Sequence, residues 1–237
     1  MIQFTKIKKE LVSDLVGIND PEILTICNYL KHINKKNDCG NECLILANGG
    51  NAEAQYVISK ILQWGLACSP NEVESVNWCQ KSVDNGFVPA YYSLADFNSK
   101  SNKHKAIELY LRAALNDYTP ALNMLGFIYS SGYLTKKNIS KAIQYYEKAI
   151  KLGNSKAMYS LSQLFLSEPE CLDIEKAMKL LKDSADRDYP DAHFILGNMH
   201  WSGDNGLQKS KELYRKHNKM QTIIKNKIVA TCLDGLM

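Results

Sequence analysis

The feature that most constrains this chain is an alanine that recurs with a period close to 35 residues. The successive separations are 36, 31, 36 and 35 residues, between Ala54, Ala90, Ala121, Ala157 and Ala192. Four residues after each alanine stands Ile or Leu, and the next residue is always Ser, Ala or Gly. Positions four apart share one face of an α-helix. Each period therefore predicts a helix with a close-packed face of small residues.

A second helix is predicted in the other half of each period. A small residue opens its pattern, and a large residue follows three positions later, as in Ala142 and Tyr145. Eleven positions after the small residue comes a turn residue, which in the first four periods is Gly86, Asp117, Gly153 and Asp188. Glycine suits a left-handed helix end, and Asp is a poorer substitute. The predicted N-caps of these second helices are short polar residues: Ser69, Ser101, Asn138 and Asp173.

Two-helix units of this kind must stack, because one pair cannot bury its apolar stripe alone. The sequence therefore predicts an all-α, right-handed α-solenoid with a helical cap at each end. We expect residues 1–50 to form the N-terminal cap with a partial repeat, and residues 51–206 to form tandem repeats that start near 51, 87, 118, 154 and 189. Residues 207–237 are expected to be the last repeat helix and a C-terminal cap.

Composition favours a globular protein in a reducing compartment. The chain is 45% hydrophobic and 23% charged, which is ordinary for a soluble domain. Its seven cysteines are odd in number and irregular in spacing, so a disulfide framework is not expected. Charged residues interrupt the N-terminus before a signal peptide could form, and no apolar run is long enough to span a membrane. We therefore expect a cytoplasmic protein.

The C-terminal segment is basic. Residues 207–237 carry seven lysines and arginines against two acidic residues, whereas the whole chain has a formal net charge of only +4. Such a segment could contact nucleic acid, an acidic partner or an anionic membrane. The other interpretation is a solvated face of a terminal helix, which the lack of interleaved aromatic residues favours.

The repeat resembles a known family. The third period reads A-x-x-x-L-G-x-x-Y-x-x-G and then K-A-x-x-Y-Y-x-K-A-x-x-x-G, with residues Ala121, Leu125, Gly126, Tyr129, Gly132, Lys141, Ala142, Tyr145, Tyr146, Lys148, Ala149 and Gly153. This pattern is similar to that of the Sel1-like repeat (SLR) proteins, a longer-loop branch of the tetratricopeptide superfamily. The resemblance implies a protein-interaction scaffold. Relatives act as adaptors of membrane-associated complexes, as bacterial host-interaction factors and as immunity proteins encoded beside secreted toxins.

The resemblance also implies where a partner binds, since first helices line the concave surface of such solenoids. Counting from the anchor alanine, offsets 2, 6 and 9 are expected to face the partner. The predicted contact residues are Tyr56, Tyr92, Asp96, Asn123, Phe127, Tyr159, Gln163, Phe194, Asn198 and Trp201. Four of the five residues at offset 2 are aromatic, and aromatic side chains are enriched in interface hot spots. The alternative is that the rings at offset 2 pack in the core.

Sequence motifs of catalysis are missing, so we expect neither an enzyme nor a cofactor or metal site. The chain has no phosphate-binding loop, no G-x-S-x-G and no H-E-x-x-H. Cys39 and Cys43 are four apart, but no second pair with zinc spacing follows. His193 and His200 are seven apart, and His200 takes the position of Tyr129, so a packing role is favoured over ligation.

Three functions remain open from the sequence. The first is an immunity protein that sequesters one toxin or effector by occluding its active surface. The second is a general adaptor that joins partners in a complex, and the third is a nucleic-acid binder that uses the basic C-terminal helix. The partner is expected to be another protein, nucleic acid is the less favoured alternative, and the chain is expected to be a monomer or a weak dimer.

Overall fold

The computed structural model describes residues 22, 26–29, 39–66 and 68–233. The regular structure in these ranges is helical. It consists of residues 26–29, a 3₁₀ turn at Pro169–Cys171 and eleven longer α-helices. The longer helices are α1 Cys39–Asn48, α2 Ala52–Trp64, α3 Glu72–Asp84, α4 Val88–Asn98, α5 Lys103–Leu115, α6 Thr119–Ser131, α7 Ile139–Lys151, α8 Ser155–Ser167, α9 Ile174–Asp186, α10 Pro190–Ser202 and α11 Lys211–Leu233.

The described residues form two compact units, whose boundaries fall within α5 and α11. The first unit contains the described residues up to Leu109, together with those from Lys227 onward, and the second contains Tyr110–Asn226. In the first unit α1 packs on α2, α2 on α3, and α3 on α4. In the second unit α6 packs on α7, α7 on α8, α8 on α9, and α9 on α10, while α6 also touches α8. Helix pairs thus stack on their neighbours in each unit, and the predicted all-α solenoid is confirmed.

The anchor alanines lie in the core. Ala54, Ala90, Ala121, Ala157 and Ala192 are all fully buried, as the small-residue face predicted. Buried hydroxyls on the second helices reach back to the first. Ser82 Oγ donates to Ala52 O at 2.6 Å, and Ser184 Oγ donates to the repeat-equivalent Ser155 O at 2.8 Å. These bonds tie the two helices of a pair together without leaving a buried hydroxyl unsatisfied.

Helix α1 relates to α2 as α3 relates to α4. Cys43 Sγ donates to Ala54 O at 3.4 Å, and Cys79 Sγ donates to Ala90 O at the same distance. Burial raises the pKa of Cys79 to about 12, so this thiol remains protonated and packs as a small hydrophobe. Helix α1 therefore occupies the place of a second helix ahead of the first complete repeat.

The second helices of the first four repeats begin with Asn or Asp caps. Asn138 and Asp173 each accept from the backbone N–H three residues on, which confirms two predicted N-caps. The other two predictions are wrong. Asn71 accepts from Glu74 N at 3.1 Å, and Asn102 accepts from Lys105 N at 3.0 Å, in place of Ser69 and Ser101.

The turn after the second helix is left-handed in each of the first four repeats. The φ angles are +79° at Gly86 and +86° at Gly153, and +56° and +57° at Asp117 and Asp188. The sequence prediction for this position is therefore confirmed, and two Asp residues hold a conformation that glycine adopts at lower cost.

The division into caps and repeats stays a prediction. Most of the expected N-terminal cap lies outside the described residues, as do residues 234–237 at the C-terminus. Helix α11 runs without interruption from Lys211 to Leu233. Within the described ranges, no helix combines the length and the apolar character needed to cross a membrane.

Candidate protein-binding surface

The second unit exposes aromatic side chains on the first helices of its repeats. Phe127 on α6 is 47% exposed, and Phe194 and Trp201 on α10 are 44% and 56% exposed. All three stand at predicted contact offsets. Large rings left this open to solvent are candidates for interface anchors, because burying them in a complex removes a large apolar area from water.

Neighbouring groups hold two of these rings in place. The Phe127 ring lies 6.3 Å from that of Tyr133, centroid to centroid, and Tyr133 is itself 48% exposed. The Trp201 ring lies 5.1 Å from that of Tyr214 on α11, and Lys211 Nζ sits 5.9 Å from the Trp201 ring centroid. A ring braced in this way loses less freedom when a partner binds.

Helix α8 carries two further predicted contact residues, Tyr159 and Gln163. Tyr159 is half-buried and packs, with Leu166, against the apolar cluster that includes Leu196 of α10. Gln163 is half-buried, and Asn198 is exposed. Gln163 Nε2 and Asn123 Oδ1 have no hydrogen-bond partner among the described residues.

Three other predicted contact residues are interior in this structure. Tyr56, Tyr92 and Asn123 are 1%, 8% and 8% exposed, and Asp96 is half-buried. These three buried side chains offer a partner little surface. That the whole predicted face contacts a partner stays a prediction. Its support comes mainly from the predicted contact residues that are exposed.

The rings at offset 2 are buried where the neighbouring repeat packs against them. The aromatic residue that precedes the first helix of the next repeat lies against the ring: Phe87 is 5.2 Å from Tyr56, and Tyr189 is 5.4 Å from Tyr159, centroid to centroid. Phe194 has the same offset in the fifth matched repeat, where α11 follows in the described residues, and it is 44% exposed.

A histidine cluster lies beside the Trp201 region. His193 Nδ1 and His217 Nδ1 are 3.0 Å apart, and the His200 ring stacks on the His217 ring at 5.7 Å. Several effects together lower the pKa of His217 to about 4: burial is the largest, the nearby His193, His200 and Lys216 add to it, and Asp186 opposes it. Burial also lowers the pKa of His193. The short contact needs one imidazole to donate and the other to accept, so protonation of both rings breaks it.

A buried ionic cluster in the first unit is absent from the sequence predictions. Lys60, at offset 6 of α2, pairs with Glu22, and both side chains are almost fully buried. Ser93 Oγ lies 3.0 Å from both carboxylate oxygens of Glu22. The only sequence signal was a lysine on an otherwise apolar stretch of helix. Its partner is 38 positions away in the chain, and spacing alone does not find such a partner.

A cleft of about 620 Å³ opens in the second unit between α7, α8 and α9. Ile150, Leu161, Phe165 and Leu180 line it, and charged residues such as Glu147 and Lys176 edge it. None of the predicted contact residues lines it. Periodicity did not indicate it because its lining comes from packing residues of two neighbouring repeats.

Two other kinds of site, a metal site and a basic surface, were also considered in the described ranges. No group of three His, Cys, Asp or Glu side chains is arranged there to hold a metal ion. The basic residues of α11 that belong to the second unit are largely exposed, as Lys211, Arg215, Lys216 and Lys219 show.

These features define a helix-pair solenoid with an exposed aromatic face. The family model of the Sel1 repeat matches five times, at residues 52–87, 88–118, 119–154, 155–189 and 190–216. The chain therefore belongs to the Sel1 repeat family, whose repeats mediate protein–protein interaction. The match indicates no catalytic family.

Two curated proteins are similar over part of their length. The chain is 30% identical to the chitin synthase regulator SKT5 of Saccharomyces cerevisiae, over 72% of this chain and 33% of that protein. It is 28% identical to the DAP3-binding cell death enhancer 1 of Rattus norvegicus, over 43% of this chain and 20% of that protein. The chain thus spans no more than about a third of the curated relatives it matches.

Solved structures share the fold. A Sel1 repeat protein from Oxalobacter formigenes has a TM-score of 0.71 and 25% identity, over 78% of this chain and 76% of that one. A protective antigen of uropathogenic Escherichia coli has a TM-score of 0.67 at 18% identity, over 90% and 48% of the two chains. An immunity protein from Pseudomonas aeruginosa has a TM-score of 0.60 at 16% identity, over 89% and 83%.

Proposed function

We propose that this chain is a non-catalytic binding protein that grips one protein partner with the exposed aromatic face of its second unit. The observation that carries the proposal is the exposure of Phe127, Phe194 and Trp201 at contact offsets of the first helices. Hot spots of protein interfaces are enriched in such rings, above all Trp and Tyr. Asn198, which is exposed, and the half-buried Tyr159 and Gln163 supply the polar and amphipathic surroundings of an interface rim.

The specific role we propose is that of an immunity protein. The ring of Trp201 is braced by Tyr214, and a rigid anchor of this kind suits tight one-to-one binding. Proteins of the same fold from Pseudomonas aeruginosa are described as immunity proteins, so the fold accommodates the role. The mechanism is occlusion: the aromatic face covers the active surface of the partner and blocks it sterically. No chemistry is required of this chain.

An adaptor role is the second candidate. The curated relatives are described by their binding or regulation of other proteins, which favours a general scaffold. A scaffold needs two separate partner surfaces, and the cleft between α7 and α9 offers a second one. Binding of two proteins at once would therefore distinguish the adaptor from the inhibitor. The basic residues of α11 remain as a nucleic-acid alternative, which the salt dependence of binding would reveal.

The test is a pair of capture experiments from the native lysate with matched double variants. Phe194→Ala/Trp201→Ala removes two exposed rings of the contact face. The control Leu172→Ala/Ile174→Ala removes two side chains of nearly equal exposure, 58% and 45%, elsewhere on the same unit. We expect one stoichiometric protein partner that is lost with the first variant and kept with the control. Equal capture by both variants contradicts the proposed face, and two partners lost independently favour the adaptor.

A further inference from the structure

We propose that the first unit contains a carboxylate-binding site, formed by Lys60 and Ser93, which the chain's own Glu22 occupies until an acidic side chain of a protein partner displaces it. The inference concerns the first unit, whereas the exposed aromatic rings lie in the second, and it gives the partner an acidic side chain that binds there. It rests on the proposed function only in taking the partner to be a protein.

The site is built from buried polar groups on two helices. Lys60 on α2 is 3% exposed and Ser93 on α4 is 1% exposed, and both contact the carboxylate of Glu22. The ammonium supplies the charge, and the hydroxyl lies 3.0 Å from each carboxylate oxygen. Charge-assisted hydrogen bonds of this kind recognise a carboxylate by both charge and geometry.

Lys60 is held in place by its own helix as well as by Glu22. Its Nζ donates to Gln63 Oε1 at 3.1 Å and lies 5.3 Å from the Trp64 ring centroid and 5.7 Å from that of Tyr56. These contacts do not depend on Glu22. The ammonium therefore stays at the site when the carboxylate leaves, so the site is preorganised for the next acidic group.

The occupant comes from outside the repeats. Glu22 precedes the first matched repeat, which begins at residue 52. The Ile26 N–H donates to Glu22 O at 3.0 Å, and residues 26–29 are helical, with Ile26 and Cys27 buried. Glu22, four positions ahead of these helical residues, thus contacts Lys60, which stands at a predicted partner-contact offset. A chain segment seated there resembles a bound ligand more than a repeat helix.

Physical chemistry makes this occupant exchangeable. Buried ion pairs add little stability over apolar packing, but a buried charge without a counter-ion is costly. The buried Lys60 ammonium therefore needs a carboxylate as its counter-ion, and a carboxylate other than that of Glu22 can serve. A tethered ligand competes at an effective concentration on the order of millimolar. Only a partner that joins an acidic group to further contacts displaces it, so the segment raises the specificity of the site.

The experiment measures binding of a fluorescent peptide with the sequence of residues 15–30 to the full chain by anisotropy. In the wild type the tethered Glu22 competes with the peptide. We expect Glu22→Gln to bind it roughly tenfold more tightly, because this change weakens the internal competitor. Adding Lys60→Met to Glu22→Gln removes binding. Adding Lys81→Met instead, a change at an exposed lysine that also sits over a ring, keeps it.

A second peptide with Gln in place of Glu22 controls for the apolar contacts. If a folded Glu22→Gln chain binds neither peptide, or binds both equally, the proposal of a carboxylate-binding site is wrong.

A measurement on the wild type covers the case in which the variants unfold. Excess unlabelled peptide should accelerate amide hydrogen exchange at residues 26–29 of an isotope-labelled chain and leave α2 unchanged. Unchanged exchange at 26–29 overturns displacement. Neither result depends on the aromatic face, so failure here leaves the proposed function standing.

Discussion

The ring of Tyr146 lies so close over the backbone of Gly126 that a Cβ added to the glycine would come within 2.5 Å of Tyr146 Cε1. The two residues are buried and join α6 to α7, the two helices of one repeat. The small residue five positions after the anchor alanine therefore sets the approach of the two helices. Larger rings on the second helix fit only because the first helix has no side chain there.

The first prediction concerns this contact. Gly126→Ala should lower the free energy of unfolding by about 1–3 kcal/mol, because overpacking outweighs the roughly 1 kcal/mol that Ala gains over Gly in a helix. Chemical denaturation followed by circular dichroism measures it. In a Tyr146→Leu background, the same change should be neutral or stabilising. Equal destabilisation in both backgrounds contradicts the steric account.

The second prediction concerns the left-handed turns. Asp188 has a φ of +57°, so Asp188→Gly should stabilise the chain by about 0.5–1 kcal/mol by relieving an unfavourable backbone conformation. Asp117→Gly should gain less, because Asp117 Oδ1 also pairs with Lys148 Nζ at 2.8 Å. Thermal unfolding of both variants checks the order. A loss of stability in Asp188→Gly contradicts the assignment of strain to that residue.

These turns show what the sequence could predict. The period, the small residues and the turn position determine the helix pairs, because all three follow from local geometry that recurs in each repeat. The positions of the N-caps were harder to predict. Asn71 and Asn102 are cap candidates as good as Ser69 and Ser101, and moving the cap by one or two residues hardly changes the helical periodicity.

The site was harder to predict because it depends on what covers each residue. Tyr56 and Phe194 occupy the same offset, yet the ring of Phe87 lies against Tyr56, which is 1% exposed, whereas Phe194 is 44% exposed. The pairing of Lys60 with Glu22 depends on a segment outside the period. Offset therefore gives the face of a helix, and the neighbouring repeat or segment determines whether that face reaches solvent.

The third prediction separates packing rings from surface rings. Tyr56→Ala should cost about 3–5 kcal/mol of stability, because the ring is fully buried. Phe127→Ala should cost only about 1 kcal/mol, because the ring is 47% exposed and loses contacts on one side only. Urea unfolding of the two variants provides the comparison. Similar losses in both would show that the Phe127 ring contributes to the core.

The fourth prediction is a loss of stability in acid. The pKa of His217 is lowered from 6.5 to about 4 in the folded chain, mainly by burial. Between these values the unfolded chain binds a proton that the folded chain does not. Stability should therefore be fully present above about pH 6.5 and fall as the pH drops toward 4. His217→Gln should flatten the dependence of the melting temperature on pH in this window. His104→Gln, at an exposed position of α5, should leave it unchanged.

Site-specific photo-crosslinking in the native cell tests the central claim most directly. A photoreactive phenylalanine analogue is placed at Phe194 or Trp201, and in a separate chain at Leu172, which is exposed to a similar extent on the same unit. The account predicts one crosslinked protein from positions 194 and 201 and none from position 172. A crosslink from 172 alone, or none from the aromatic face under conditions in which the partner is captured, would contradict it.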